Sequence, residues 1–438
     1  MSIPSLTGVQ TALSGLEADQ AALDTIGNNI DNASTPGYTE EVVNLNSRTP
    51  QQIAAESYNK GAVATQLGTG VDIGSITRQR NEFLDVQYRA QNSMLGHNTE
   101  NATQLGDAQS VFAEPSSTAL SGQMARFWSD WNSVANNPTS LPAQQALVDD
   151  ATTLAQSFGG LYTQLSTLQS QATAQFTAMT SSGGQLVSDA NKIASLNGAI
   201  SQAIADGQSP NTLKDQRDSA LDDLSSLGNV SVSSQPDGTV TVGFGDASSP
   251  LVEGTTVNWP QTITSASGGQ LGALLDSASP TGQVGTAMSS LNTVAADLAG
   301  SVNGLSTTTP FFTGNTASTL AVAVTAGNVQ TSSTSTPGGN DVAQAIAALQ
   351  GGTADQAYTA LVSGLGSAVQ TAQTNQANSK AIVTAFQNQR ESASGVSIDQ
   401  EMANMITFQR GYQASAQTLN TIEQVLGTLI TEVGSAGM

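Results

Sequence analysis

The stretch LTGVQTALSGLEADQAALDTIGNNI, residues 6–30, carries apolar side chains at Leu6, Val9, Leu13, Leu16, Leu23, Ile26 and Ile30. Steps of three and four alternate, and Val9, Leu16, Leu23 and Ile30 follow a heptad repeat, which predicts one helix with a narrow apolar seam. Gln20 interrupts the second row of that seam. The helix is expected to end in Asn28-Asn29-Ile30-Asp31-Asn32, whose short polar side chains compete for backbone hydrogen bonds. Thr35-Pro36-Gly37-Tyr38 then reads as a turn, because proline presets φ and glycine accepts positive φ.

The far end of the chain repeats the pattern. Met405, Tyr412, Leu419, Leu426 and Val433 keep heptad spacing, Phe408, Ile422 and Leu429 form the second row, and Ser415 is its polar gap. Ordinary surface helices show a broader apolar stripe. The residues of the two seams are therefore the candidate assembly interface, pairing with each other or with the same segments of neighbouring subunits. The plainer alternative is two amphipathic helices resting on a globular body.

Between these ends, residues from about 90 to 228 have helical periodicity, with a break at Pro138 and Pro142 after Trp128 and Trp131. A further helical run extends from about 338 to 392. Residues 229 to 269 differ: Val230, Val232, Val240 and Val242 alternate with small polar residues around Pro236-Asp237-Gly238, a hairpin pattern. A second alternating run, Leu320 to Val324, precedes the Ser/Thr-rich loop from Thr331 to Thr336. The helical run near Gln283 to Val302 lies between the strand regions and is expected to pack back on the helical body. The expected fold is mainly α with an inserted β-rich domain, the terminal helices pairing as a coiled coil beside a long helical bundle. The expected division is 1–60 with 396–438 as a terminal rod domain, 61–228 with 338–395 as a helical domain, and 229–337 as a β-rich outer domain.

Composition narrows the function. A chain of 438 residues exceeds what one core usually organises. Aromatics at 4% and charged residues at 11% suit long helices meeting side by side better than a compact enzyme core. A formal charge of −22 repels phosphate backbones and anionic membranes, so neither nucleic acid nor membrane is an expected partner. No apolar run approaches the roughly 20 residues needed to span a bilayer, so the chain reads as soluble. Met1 to Gly15 lack a basic segment followed by an unbroken apolar one, so export is expected to use a route other than a standard signal peptide. With no cysteine, disulfides, thiolate nucleophiles and cysteine-based zinc sites are excluded.

No residues form a catalytic constellation. The single histidine, His97, has no nucleophile-elbow pattern near it and reads as a surface residue. Asp215, Asp218 and Asp222 share a helical face, with Asp223 adjacent, as a hard-cation site or paired general acids would need. With Lys214 and Arg217 among them, the expectation is a solvated acidic face. No glycine run cradles phosphate. The chain is therefore expected to be no enzyme and to use no cofactor or metal.

Ala12-Leu13-Ser14-Gly15-Leu16, Asn28 to Asn32 and Thr35-Pro36-Gly37-Tyr38 resemble the amino-terminal signature shared by axial proteins of the bacterial flagellum. Glu40-Glu41 stand where that family usually has a basic residue and glutamine, and Asp31 replaces a common alanine. Phe127-Trp128-Ser129-Asp130-Trp131, Asn136-Asn137-Pro138-Thr139-Ser140, Ile193 to Asn197 and Pro210 to Leu213 with Asp215 to Asp218 are similar to the hook-associated family at the hook-filament junction. Gly395 to Asn404 and Phe408 to Ala414 resemble the carboxyl-terminal signature of the same family. The resemblance thins between about 306 and 337.

The resemblance implies a secreted, extracellular structural subunit, an adapter at the hook-filament junction needed for filament attachment. It implies self-association in a helical lattice, contact with the hook protein and with a second junction protein on the filament side, and export through the flagellar type III apparatus. A cytoplasmic export chaperone would hold the carboxyl-terminal segment. The alternatives are a hook or other axial subunit, which shares the terminal signatures, or an extracellular adhesin.

Overall fold

The computed structural model describes residues 4–53, 65–334 and 336–435. Helix α1 (Pro4–Asn32) is followed by four short strands, β1 (Glu41–Ser47), β2 (Gln51–Ile53), β3 (Thr65–Leu67) and β4 (Val71–Arg78). β1 pairs antiparallel with β4, and β2 with β3, as two nested two-stranded sheets. These strands do not show as a clean apolar–polar alternation, because Leu45, Leu67 and Ile73 are on exposed positions and the β1–β4 register shifts between Asn44 and Leu45. Between α1 and β1, Gly37 takes a φ of 81° and the Tyr38 N–H donates to the Thr35 carbonyl, closing the turn.

The helical body starts with α2 (Glu82–Phe112), capped by the Asn81 side chain, which accepts from the Phe83 N–H. It continues through α3 (Leu120–Asn136) and the 40-residue α4 (Leu141–Thr180), where Ser140 supplies the cap and Pro142 sits in the first turn. Then come α5 (Gln185–Ala205) and α6 (Asn211–Leu227). Strands β5 (Val230–Ser234), β6 (Val240–Phe244), β7 (Val252–Glu253) and β8 (Thr256–Val257) form an antiparallel meander in sequence order. Gly238, at φ 83°, lies in the connection from β5 to β6.

The meander covers the helix pair α5–α6. Val240, Val242 and Phe244 alternate inward and meet Leu186, Ile193, Leu221 and Leu224 in one buried cluster.

After α7 (Gly269–Ala278) and α8 (Gln283–Leu305), strands β9 (Phe312–Thr313) and β10 (Ala321–Val322) form a minimal hairpin, followed by α9 (Asp341–Ala347). The 42-residue α10 (Thr353–Ser394) and α11 (Ile398–Ser435) complete the chain.

The larger core joins α2, α3, α4, α8, α9 and α10. At its centre Phe127 and Trp131 of α3 pack at tilted angles against Phe311, Phe127 also meets Phe312, and Trp128 packs on Phe127; the Trp131 and Phe311 rings lie 5.1 Å apart. Residues 306–337, expected to belong to the β-rich insert, thus contribute Phe311, Phe312, Ala317 and Leu320 to the helical core. Large aromatics drive that choice, since each fully buried side chain contributes roughly 1.5–3 kcal/mol. The fold is mainly α with an inserted β-rich part.

Candidate assembly interface

α1 and α11 run antiparallel in direct contact. A β-carbon on Gly8 would touch Ile422 at 3.3 Å, one on Gly15 would lie 3.1 Å from Ser415 Oγ, and one on Gly411 would lie 2.9 Å from the Asp19 carboxylate. The absence of side chains at these glycines lets the helices approach closely. Gly8, Gly15, Ala22 and Asn29 keep heptad spacing, and Ala22 and Asn29 are buried. The row that meets α11 is therefore a small-residue row, one position behind Val9, Leu16, Leu23 and Ile30.

The other flank of α1 is covered by the β1–β4 sheet, where the Val71 N–H donates to Ser14 Oγ at 3.3 Å.

Among the seam residues of α1, Ile26 is buried and Val9, Leu16, Leu23 and Ile30 are half-buried, whereas Leu13 is 44% exposed. On α11, Met405, Phe408, Tyr412, Leu419, Ile422 and Leu426 are half-buried and Leu429 is 56% exposed. The side chains of Leu6 and Val433 lie outside the described residues. The helices are brought together, but the apolar rows are not their closest contact. Hydrophobic periodicity passes over glycine, alanine and asparagine; a heptad repeat of small residues is the signal that finds the contact row.

The two terminal signatures meet at Asn29. Its amide nitrogen donates to Glu401 Oε1 at 3.0 Å and to the Glu41 carbonyl at 2.9 Å. Its oxygen accepts from the Tyr38 hydroxyl at 2.8 Å and the Glu41 N–H at 3.0 Å. Both donors and both lone pairs of this buried amide are used, which fixes the start of β1 and the first turn of α11. Burial raises the Glu401 carboxyl above its ordinary value despite the bond from Asn29, and its Oε2 is buried without a partner. Burial also raises Glu40, which lies beside Glu401.

A second cluster ties these ends to the body. Thr39, just after the turn, donates through both its N–H and its hydroxyl to Asp215 of α6. Arg78 of β4 donates to Asp215 at 2.6 Å and Asp218 at 2.9 Å. Arg80 pairs with Asp85 at 2.7 Å, Arg89 of α2 with Asp222 at 2.9 Å, and Arg390 of α10 with both Asp85 and Asp222. The expectation of a solvated acidic face is corrected: Asp215 and Asp218 are buried and Asp222 is half-buried, while Asp223 alone is exposed.

The physical reason is the arginines, delivered to the α6 face by β4, α2 and α10. Burial by itself would raise the Asp218 carboxyl, but Arg80, Arg78 and Arg89 outweigh it and hold it below the ordinary value. The arrangement locks a junction and leaves no carboxylate pair free for acid–base work. His97 is part-exposed, 3.6 Å from Asp276.

Comparison with known proteins follows this geometry. A family model described as the flagellar hook-associated protein FlgK helical domain matches residues 105–266, the stretch from mid-α2 to the end of the meander region. Two further models, the flagella basal body rod protein and the flagellar basal body rod FlgEFG protein C-terminal, match 9–39 and 387–432, the two segments joined at Asn29 and Glu401. Flagellar hook-associated protein 1 of Bacillus subtilis (strain 168) is 35% identical over 226 residues, covering 52% of this chain and 44% of that protein.

The chain is similar to flagellar hook-associated proteins over its helical body and to flagellar rod proteins at its two ends. Flagellar hook-associated protein 1 of Salmonella typhimurium is 32% identical over 280 residues, covering 62% of this chain and 45% of the relative. The Escherichia coli (strain K12) protein of the same description is 29% identical over 264 residues, covering 59% and 45%. The matches thus span less than half the length of these hook-associated relatives. The flagellar hook junction protein FlgK from Burkholderia pseudomallei superposes with a TM-score of 0.44 at 25% identity, covering 50% of this chain and 43% of that one. Among the described residues no helix is long and apolar enough to cross a membrane.

Proposed function

We propose that this chain is a structural subunit of the flagellar axis, an adapter between hook and filament outside the cell. The observation that supports it most is the open apolar surface of α11. While one side of α11 is held by α1, Met402, Ile406, Val425, Leu429 and Ile430 are each more than half exposed. These exposed apolar side chains form two groups, Met402 with Ile406 at the start of α11 and Val425, Leu429 and Ile430 near its end, and they suit burial by neighbouring subunits in a helical lattice. In this reading residues 1–60 with 396–438 form the inner part, 61–228 with 338–395 surround it, and 229–337 include the outward β-rich portion. The seam residues make the lattice contacts, while the small-residue row holds α1 against α11 within the chain.

Its partners are further copies of itself, the hook protein below and the second junction protein on the filament side. A cytoplasmic chaperone holds the carboxyl-terminal segment before type III export. The role is structural and calls for no enzymatic activity. A strain lacking the chain is expected to carry normal hooks without filaments and to shed filament subunits into the medium. Normal filaments on that strain would overturn the proposal.

A further inference from the structure

Five of the chain's twelve basic residues, Arg78, Arg80, Arg89, Lys214 and Arg217, line one open cleft of about 450 Å³. It lies where β4, the first turns of α2 and α6, and the β5–β6 pair meet. In a chain of formal charge −22 this concentration of cations is unusual. Glu82, Asp85 and Asp218 also line the cleft, but Asp85 and Asp218 are already neutralised by Arg80, Arg390, Arg78 and Arg89.

Among the described residues two cations, Lys214 and Arg217, have no ion-pair partner, and the cleft's remaining carboxylate, Glu82, pairs with neither. The Lys214 ammonium has no carboxylate within ion-pair distance and no hydrogen bond among the described residues. Burial, followed by the charges of Arg78 and Arg217, pushes it down from its ordinary value. Arg217, 7% exposed, donates through Nη1 to Asn197 Oδ1 and the Gly238 carbonyl, yet its Nε is buried with no partner. A buried unpaired donor on a guanidinium is costly and is normally met by an acceptor. Beside them α6 begins after Pro210, which provides no side-chain cap, so the positive end of the helix also faces this corner.

We propose that this cleft is an oxyanion site, taking a carboxylate, sulfate or phosphate group between Lys214 and Arg217. The negative group supplies the counter-charge that Lys214 lacks and lies beside the Arg217 guanidinium, which also lines the cleft. Its source is either a free anion or an acidic side chain of a neighbouring copy.

The test is calorimetric titration of the full chain with sodium sulfate against sodium chloride at constant ionic strength. Saturable sulfate binding is expected for the native chain. In Lys214→Gln, which breaks no hydrogen bond, binding should be about ten-fold weaker with an unchanged melting temperature in chloride. Absence of saturable binding, or equal binding by Lys214→Gln, overturns the site. Once binding is established, sulfate at saturating concentration distinguishes the sources. Loss of self-association with the same midpoint as binding identifies a neighbour's carboxylate, and undisturbed self-association identifies a free oxyanion.

Discussion

Asn29 and Glu401, 372 positions apart, are joined by a hydrogen bond of 3.0 Å at the junction of the two terminal helices. Replacing Asn29 by Ala removes this bond and three others, leaving the Glu41 backbone and the Tyr38 hydroxyl unpaired. At about 1–3 kcal/mol for each buried group left unsatisfied, the terminal pair should open well before the body. Hydrogen exchange is the measurement: protection across 402–420 should fall while α3 and α4 keep theirs. Equal loss in both regions would show that the pair and the body unfold as one unit.

Asp218→Ala should destabilise the body by about 1.5–3 kcal/mol, because Arg78, Arg80 and Arg89 each lose one carboxylate while keeping Asp215, Asp85 and Asp222. The pH dependence has a definite sign. A folded-state carboxyl held low contributes stability above its unfolded value near 3.8, and this is lost as pH falls through the folded value. The stability of the native chain should therefore fall in strong acid, and Asp218→Ala should flatten that dependence.

Asp189 should behave oppositely. Burial first, then the charge of Asp223, raises its carboxyl to about 6, and its Oδ2 has no partner. The folded chain takes up this proton as pH falls below about 6, so the penalty for the charged form is complete at neutral pH and fades toward pH 4. Asp189→Asn should raise stability at pH 8 by about 1 kcal/mol, after allowing for partial solvent screening. No gain should remain at pH 4, and a gain of the same size at both values would refute the assignment.

Leu419→Asp with Leu426→Asp should abolish incorporation into the lattice while the central helices remain folded. Both side chains are half-buried, and roughly 1.5–3 kcal/mol accompanies full burial of each leucine. Circular dichroism of the purified variant and electron microscopy of complemented cells provide the two readouts. Filaments of normal number would place the lattice contact elsewhere.

Much of this was legible in the residues. The ends of α1, the turn at Thr35–Tyr38 and the hairpin about Gly238 follow from local chemistry, which a single chain displays directly. The arginine–aspartate cluster was not, because Arg78 and Arg89 find Asp215, Asp218 and Asp222 across more than a hundred residues. A carboxylate row looks solvated until the fold supplies its cations. Phe311 and Phe312 likewise sit in a Thr-rich stretch whose destination is decided by the Trp131 pocket and not by local pattern.

The Glu40 N–H donates to the Ser394 carbonyl at 2.9 Å, so the folded body holds the roots of α1 and α11 side by side. Closing a loop of this length in a free chain would cost about 5 kcal/mol of entropy. Once the body has folded, that cost has already been met, and each terminal helix meets the other as a tethered ligand. Its effective concentration is then in the millimolar range typical of short linkers. A free peptide of the α11 sequence would have to approach about millimolar strength to displace its tethered counterpart.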